Sequence, residues 1–215
     1  MRTDVLKAAV LTLAASLAAP AAAATIIDEW ANVKAPPPPE LKSVKLDPRT
    51  TALLLLDFNG AEAATSGPCN SASKPRCLES LPKVRALLDK ARAGGVMVAY
   101  SVTPNATPAD IRKDIAPAAG EPVVASSADK FIGTELRDLL DKRGVKTLVV
   151  TGTASEGAVL ATSTDAALHG MNIVIPVDGM SSTELYAEQY VAWHLVHAPG
   201  VAPKTTLSRS DMIAF

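Results

Sequence analysis

Three places along the chain hold residues whose type and position could do chemistry. Asp57 closes the run TALLLLDF (residues 51–58). A carboxyl that leaves four leucines in a row is biased by burial toward its protonated form and can pass a proton. Lys130, in SSADKFIGTEL, stands between a loop and a helix and offers a positive charge to a carboxylate. The segment VVTGTASEGAVLATSTDAALHG (149–170) reads as a strand, a tight turn and a small-residue helix. The N–H groups that open such a helix can bind an anion or an oxyanion, here around Thr153, Ala154 and Gly157. At the first turn, where a nucleophile would sit, stands Ala158. Each feature also has a plainer reading: Asp57 as a helix cap, Lys130 as a surface lysine and Ser155 as an ordinary N-cap.

The remaining reactive side chains are few. Cys69 and Cys77 lie eight apart in a stretch rich in Ser, Pro and Gly. In an oxidising compartment this spacing predicts one disulfide; a metal or thiol-redox pair is the alternative, and no His lies near them. His194 and His197 fall three apart on a predicted helix, and two ligands fall short of a zinc site. His169 ends a helix, where its charge suits the dipole. No metal and no cofactor is expected.

The elements that must position these residues alternate between strand and helix. TALLLLDF predicts a strand buried on both faces. A helix is expected over 79–93, with Ser80 as N-cap, Pro82 in its first turn and Gly94-Gly95 as the stop. Strands follow at 96–102, 146–152, 172–178 and 205–208, and helices at 134–143, 156–169 and 183–197. A loop with one short helix near 109–114 is expected over 103–129. Such alternation demands parallel strands joined by right-handed crossovers, hence a three-layer α/β/α sandwich around a mainly parallel, Rossmann-like six-stranded sheet. In such a sheet a ligand sits beyond the carboxyl ends of the strands, where the strand order reverses.

Taken in order, ALLLLDFN, Lys130 with FIGTEL, and VVTGTASEGAVLATSTDAALHG followed by VIPVDGMSS resemble the isochorismatase-like hydrolase family, from about Thr51 to the C-terminus. In that family the Asp of the first motif, the Lys of the second and a Cys of the third form a triad. Asp57 and Lys130 match, and the Cys falls on Ala158. The resemblance implies a non-proline cis peptide at Thr153–Ala154 and places Asn59 where a Gln is usual, so that Asn59 joins Thr153, Ala154 and Gly157 as an expected substrate-binding or oxyanion-loop residue. The family's metal-binding members carry histidines shortly after the first motif, and residues 59–78 contain none. Without a thiol, covalent amidase chemistry is disfavoured. Family members without the Cys cleave a vinyl ether with the Asp as proton donor. The expected activity is therefore hydrolysis of a small carboxylate-bearing molecule, with Asp57 as general acid/base and Lys130 binding substrate or tuning the Asp57 pKa. A non-catalytic binder on the same fold is the alternative, and a structural oligomer a third.

The ends of the chain suggest a compartment. Arg2 and Lys7, an apolar run over 8–19 and Ala22-Ala23-Ala24 make the pattern of a secretory signal peptide over 1–24. Residues 25–50, with prolines from Pro36 to Pro39, read as an extended arm that lies over its own domain, a neighbouring subunit or solvent. The hydrolase domain is expected over 51–215, in the periplasm or secreted, with a homo-oligomer in view and no membrane association after cleavage. Twenty-one basic against 22 acidic residues give a net charge of −1, and aromatics make up 4%. With no basic aromatic stripe, the sequence argues against nucleic acid as the main partner.

Overall fold

Residues 53–56 are four leucines because the strand they form faces a core on each side. In the computed structural model, which describes residues 24–60 and 67–215, Thr51–Leu56 is the central strand β2. Ala52, Leu54 and Leu56 point into one core, and Leu53 and Leu55 into the other. The period of two in side-chain direction converts one apolar run into two buried faces.

Two units make up the chain, Met1–Pro36 and Pro37–Phe215. In the first, α1 (Ile26–Glu29) is followed by a 3₁₀ turn, Trp30–Asn32. Its start is held by the Thr25 backbone N–H and hydroxyl, which donate to the Asp28 carboxylate at 2.9 and 2.8 Å. The predicted signal segment lies outside the described residues, apart from Ala24.

The second unit is the sandwich. After β1 (Val44–Lys45) and β2 come α2 (Pro75–Ala93), β3 (Met97–Val102), β4 (Val123–Ala125), α3 (Leu136–Lys142) and β5 (Thr147–Thr153). A π-turn, Ser155–Val159, leads into α4 (Leu160–Leu168), then β6 (Asn172–Pro176), β7 (Met180–Ser181), α5 (Leu185–Leu195), β8 (Thr205–Ser208) and β9 (Ile213–Ala214). The main sheet runs β4-β3-β2-β5-β6-β8, every pair parallel, and β7 pairs with the end of β5. The chain lays strands outward from β2 in one direction, then returns to the other side of β2 with β5. The order therefore reverses between β2 and β5.

Several predicted elements shift. The sheet has seven strands rather than six: to the five segments placed in the sequence it adds β4, in a segment expected to be loop, and β7, which resumes after Pro176 ends β6. Three and two residues are too short to show a period. The N-terminal arm is not all irregular: it carries α1, and β1 pairs in parallel with β9 in a separate two-stranded sheet. The single helix expected near 109–114 is two 3₁₀ turns, Pro108–Asp110 and Lys113–Ile115. Helix α2 begins four residues before the expected start, with Pro75 in its first turn. Ser80 is thus inside the helix rather than its cap, donating from its hydroxyl to the Cys77 carbonyl at 2.7 Å, and Pro82 is internal. Gly152 is required by close approach: a Cβ there would sit 2.7 Å from the Leu56 carbonyl oxygen.

Candidate active site

Where β2 ends, the backbone turns through Asp57 at φ 56°. Aspartate is among the few non-glycine residues that enter the left-handed region readily. The Asp57 N–H donates to the Ser101 carbonyl at 3.1 Å, so the turn is tied to the end of β3. Its carboxylate accepts on both oxygens, from the Ser101 hydroxyl to Oδ1 at 2.7 Å and from Lys130 Nζ to Oδ2 at 2.7 Å. Burial pushes the Asp57 carboxyl above the ordinary carboxylate value, and the opposing pull of the Lys130 ammonium and the Ser101 hydroxyl only partly offsets it.

Lys130 is not a surface lysine: its relative exposure is 0%. A charge this deep must be paired and fully hydrogen-bonded. Besides Asp57, Nζ donates to the Ser126 carbonyl at 3.1 Å and to the Ser127 carbonyl. All three ammonium protons are thereby committed. The backbone is held as firmly: Lys130 N–H donates to the Thr162 hydroxyl at 3.2 Å, and the Thr134 hydroxyl to the Lys130 carbonyl at 2.6 Å. Thr162 lies one turn beyond Ala158 on the same helix, so its contact orients that face toward the Lys130 segment.

The third wall comes from the end of β5. The Thr153–Ala154 peptide is cis, at the position expected. Ser155 is the first residue of the π-turn, with Ala154 at its cap, and is not itself an N-cap; its hydroxyl lies 3.3 Å from the Glu156 carboxylate. Gly157 N–H closes the turn onto the Ala154 carbonyl at 3.0 Å. Ala158 is buried and packs in the core with Leu54 and Leu56.

A disulfide joins Cys69 and Cys77, both buried in the core with Leu53, Leu55 and Phe58. Cys77 is in α2 rather than in a loop, so the bridge anchors residues 67–70 to a helix. Cys69 N–H donates to the Asn59 carbonyl at 3.2 Å, and the Thr153 hydroxyl donates to the Pro68 carbonyl at 3.3 Å. Asn59 is buried and exchanges hydrogen bonds with Thr103, its amide donating to the hydroxyl at 3.1 Å and accepting from the backbone N–H at 3.3 Å. These bonds join the loops after β2 and β3. Gly60 is held against Cys69, whose carbonyl oxygen would lie 2.5 Å from any Cβ.

Residues far apart in sequence thus converge on the gap between β2 and β5. Asp57, Lys130 and the Thr153–Ala158 turn come together, and the histidines do not. His169 caps α4 with Nδ1 at 2.9 Å from the Asp165 carbonyl, while His194 and His197 stand beside Tyr190 and Trp193 on α5. Among the described residues no three His, Cys, Asp or Glu side chains are grouped to hold a metal. Ser101 went unrecognised in sequence. Its only signal was a hydroxyl inside the apolar strand VMVAYSV, opposite Leu56 in the register.

The isochorismatase domain model matches residues 51–206 of the chain. The chain belongs to the isochorismatase family. It is 31% identical over 140 residues to streptothricin hydrolase of Streptomyces noursei, covering 60% of this chain and 52% of that protein. It is 27% identical over 152 residues to maleamate amidohydrolase of Pseudomonas putida, covering 59% of this chain and 70% of that one. The chain therefore spans about half the length of the streptothricin hydrolase it matches. An isochorismatase family protein from Desulfovibrio vulgaris superposes with a TM-score of 0.65 at 25% identity, over 76% of this chain and 95% of that one. The sandwich of this isochorismatase-family chain is accordingly the family fold, and its membership is in a family of hydrolases acting on small molecules.

Proposed function

We propose that the protein is an exported hydrolase that acts on a small carboxylate-bearing molecule without a thiol nucleophile. The observation that carries this reading is the buried Asp57–Lys130 pair at the sheet's reversal point, in a chain that has alanine at position 158. Both cysteines of the chain are joined in the disulfide, so no thiol replaces the missing one. Asp57 is the general acid/base. Lys130 tunes it and does not grip substrate, since its three N–H groups already serve Asp57 and two carbonyls.

The chemistry that suits a proton donor without a nucleophile is cleavage of an activated enol ether. Protonated Asp57 gives its proton to the enol carbon, leaving an oxocarbenium ion and a carboxylate held by Lys130 and Ser101. Water adds to the cation and returns a proton to Asp57, and the hemiketal collapses to a carbonyl compound and an alcohol. The raised Asp57 pKa supports the acid role. The turn at Thr153, Ala154 and Gly157 lies beside this pair as the oxyanion- or substrate-binding loop. Residues 1–24 act as the secretory signal, residues 25–50 as an arm and residues 51–215 as the hydrolase domain. A disulfide is compatible with the periplasm or the exterior. Homo-oligomer formation belongs to the same proposal.

One observation favours a second reading, a binding protein on the hydrolase fold: there is no nucleophile at position 158. Screening vinyl ethers, amides and ureas against wild type and Asp57→Asn separates the two. The amide keeps the shape and removes the transferable proton, so turnover falls about 10²–10⁴-fold while binding survives. Binding of small carboxylates with no turnover of any class would establish the binder.

A further inference from the structure

One short segment meets both chain ends at the gap between β2 and β5. Cys69 N–H donates to the carbonyl of Asn59, two residues past Asp57, at 3.2 Å. One residue earlier, the Pro68 carbonyl accepts from the hydroxyl of Thr153, the last residue of β5, at 3.3 Å. Gly60 packs so closely that a Cβ on it would meet the Cys69 carbonyl oxygen at 2.5 Å. Residues 68 and 69 thus form a strap from the chain that leaves Asp57 to the start of the Thr153–Ala154 turn.

The strap is folded locally and anchored covalently. Asn70 Oδ1 accepts from the N–H groups of Ala72 and Ser73 at 2.9 Å each, and its Nδ2 donates to the Gly67 carbonyl at 2.8 Å. The anchor is the disulfide from Cys69 to Cys77, the third residue of α2. The two residues are 0% and 1% exposed and share a cluster with Leu53, Leu55 and Phe58, the residue after Asp57. Two thiols need more room than the disulfide they replace, and a close-packed interior yields that room only by moving a neighbour. A reduced pair would press on Phe58 or leave the cluster and carry Cys69 with it. Either way the support of Asn59 and Thr153 shifts.

We infer that the Cys69–Cys77 disulfide is a positioning element of the Asp57 site, and that the site is completed only once the two thiols have been oxidised. What the site does rests on the proposed function; what the disulfide holds rests on the contacts above. Oxidation joins the two sulfurs and passes two electrons and two protons to an oxidant. The class that an oxidising compartment offers is a second disulfide, which exchanges through a mixed disulfide and leaves as two thiols. Burial of both residues places this step during folding, before the cluster around them closes. A chain kept in a reducing compartment carries Asp57 and Lys130 without the strap that frames them, and it gains activity after export.

The test compares three forms of the mature chain: wild type refolded with a disulfide oxidant, wild type refolded under reduction, and Cys69→Ala/Cys77→Ala. Each is measured well below its own melting temperature by circular dichroism, so that global unfolding does not enter. Without the disulfide, amides of residues 58–60 and 152–158 should exchange at least about 10-fold faster, while those of β6 and β8 keep their protection. The carbon-13 resonance of the Asp57 carboxyl should titrate lower, because water at the loosened strand end relieves the burial that raises it. Refolding the reduced protein with oxidant should restore both readings. 2-Methoxyacrylate, a small enol ether with a carboxylate, probes function: its turnover, or its binding by Asp57→Asn, should fall about 10- to 100-fold without the disulfide. If the oxidised wild type neither binds nor cleaves this probe, the substrate class is wrong, and exchange and titration alone decide the positioning role. Two results overturn the inference. One is exchange that quickens evenly over the chain, or only over residues 67–77. The other is an Asp57 titration that is the same in all three forms.

Discussion

Replacing Lys130 with methionine removes a fully buried ammonium and keeps most of its stem. Asp57 Oδ2 and the carbonyls of Ser126 and Ser127 lose their donor together. Breaking a buried pair on one side costs about 3–5 kcal/mol. Without the cation, the largest pull that offsets burial is gone, so the Asp57 carboxyl is pushed further above its ordinary value of 3.8 in the fold. A raised folded pKa stabilises below the unfolded value and loses that contribution as pH rises through the folded one. In the variant that loss continues to higher pH than in wild type, so the gap between the two proteins widens from acid to neutral. For a chain of this size the melting temperature should fall by about 6–20 °C at pH 7. Near pH 4 the fall should be much smaller, reflecting the two bereft carbonyls. Thermal melts by circular dichroism across pH 4–8 measure it, and Asp57→Asn/Lys130→Met should recover most of the loss by removing the carboxylate. A deficit under about 1 kcal/mol, or one equal at both ends of the range, refutes the pairing described above. So does a double variant no more stable than Lys130→Met.

Ser101→Ala removes a hydrogen bond to the ionised form of Asp57, worth about one to two pH units. The alkaline fall in activity, or the Asp57 carboxyl resonance in a carbon-13 titration, should move upward by that amount, and Ser101→Thr should restore it. Ala158→Cys should alkylate with iodoacetamide faster than a simple thiol at neutral pH, because a nearby ammonium and the helix start lower a thiol pKa; an inert thiol would show that position 158 does not face the pair. Mature protein from its native host should begin near Thr25 with Cys69 and Cys77 joined, as intact mass before and after reduction will report. Two unreacted thiols in that material would contradict the pairing.

The fold was legible where a residue pattern has one physical solution. Four leucines before Asp57 admit only a strand with a core on each face, and the strand–helix alternation admits only parallel pairing. The misplacements have definite causes. Ser80 and Pro82 carry start signals, yet Pro75 starts α2 and both residues lie inside the helix. Strands β4 and β7, of three and two residues, carry no period by which a sequence reveals them.

For the site, the sequence by itself determined which chemical groups are present: a carboxyl at the end of an apolar strand, a lysine before FIGTEL, a small-residue turn, and no thiol outside the Cys69–Cys77 pair. It also determined that Asp57 and the Thr153–Ala154 turn end strands on the same edge, since parallel strands place all their carboxyl ends together. Only the tertiary structure decided that Lys130 is buried and how its protons are used. That outcome depends on bringing Ser126, Ser127, Asp57 and Thr162 to one lysine, from positions up to 73 residues away in the case of Asp57. Ser101 was decided in the same way, by the β2–β3 register. Side-chain burial and donor saturation are properties of such long-range convergence, and no local spacing encodes them.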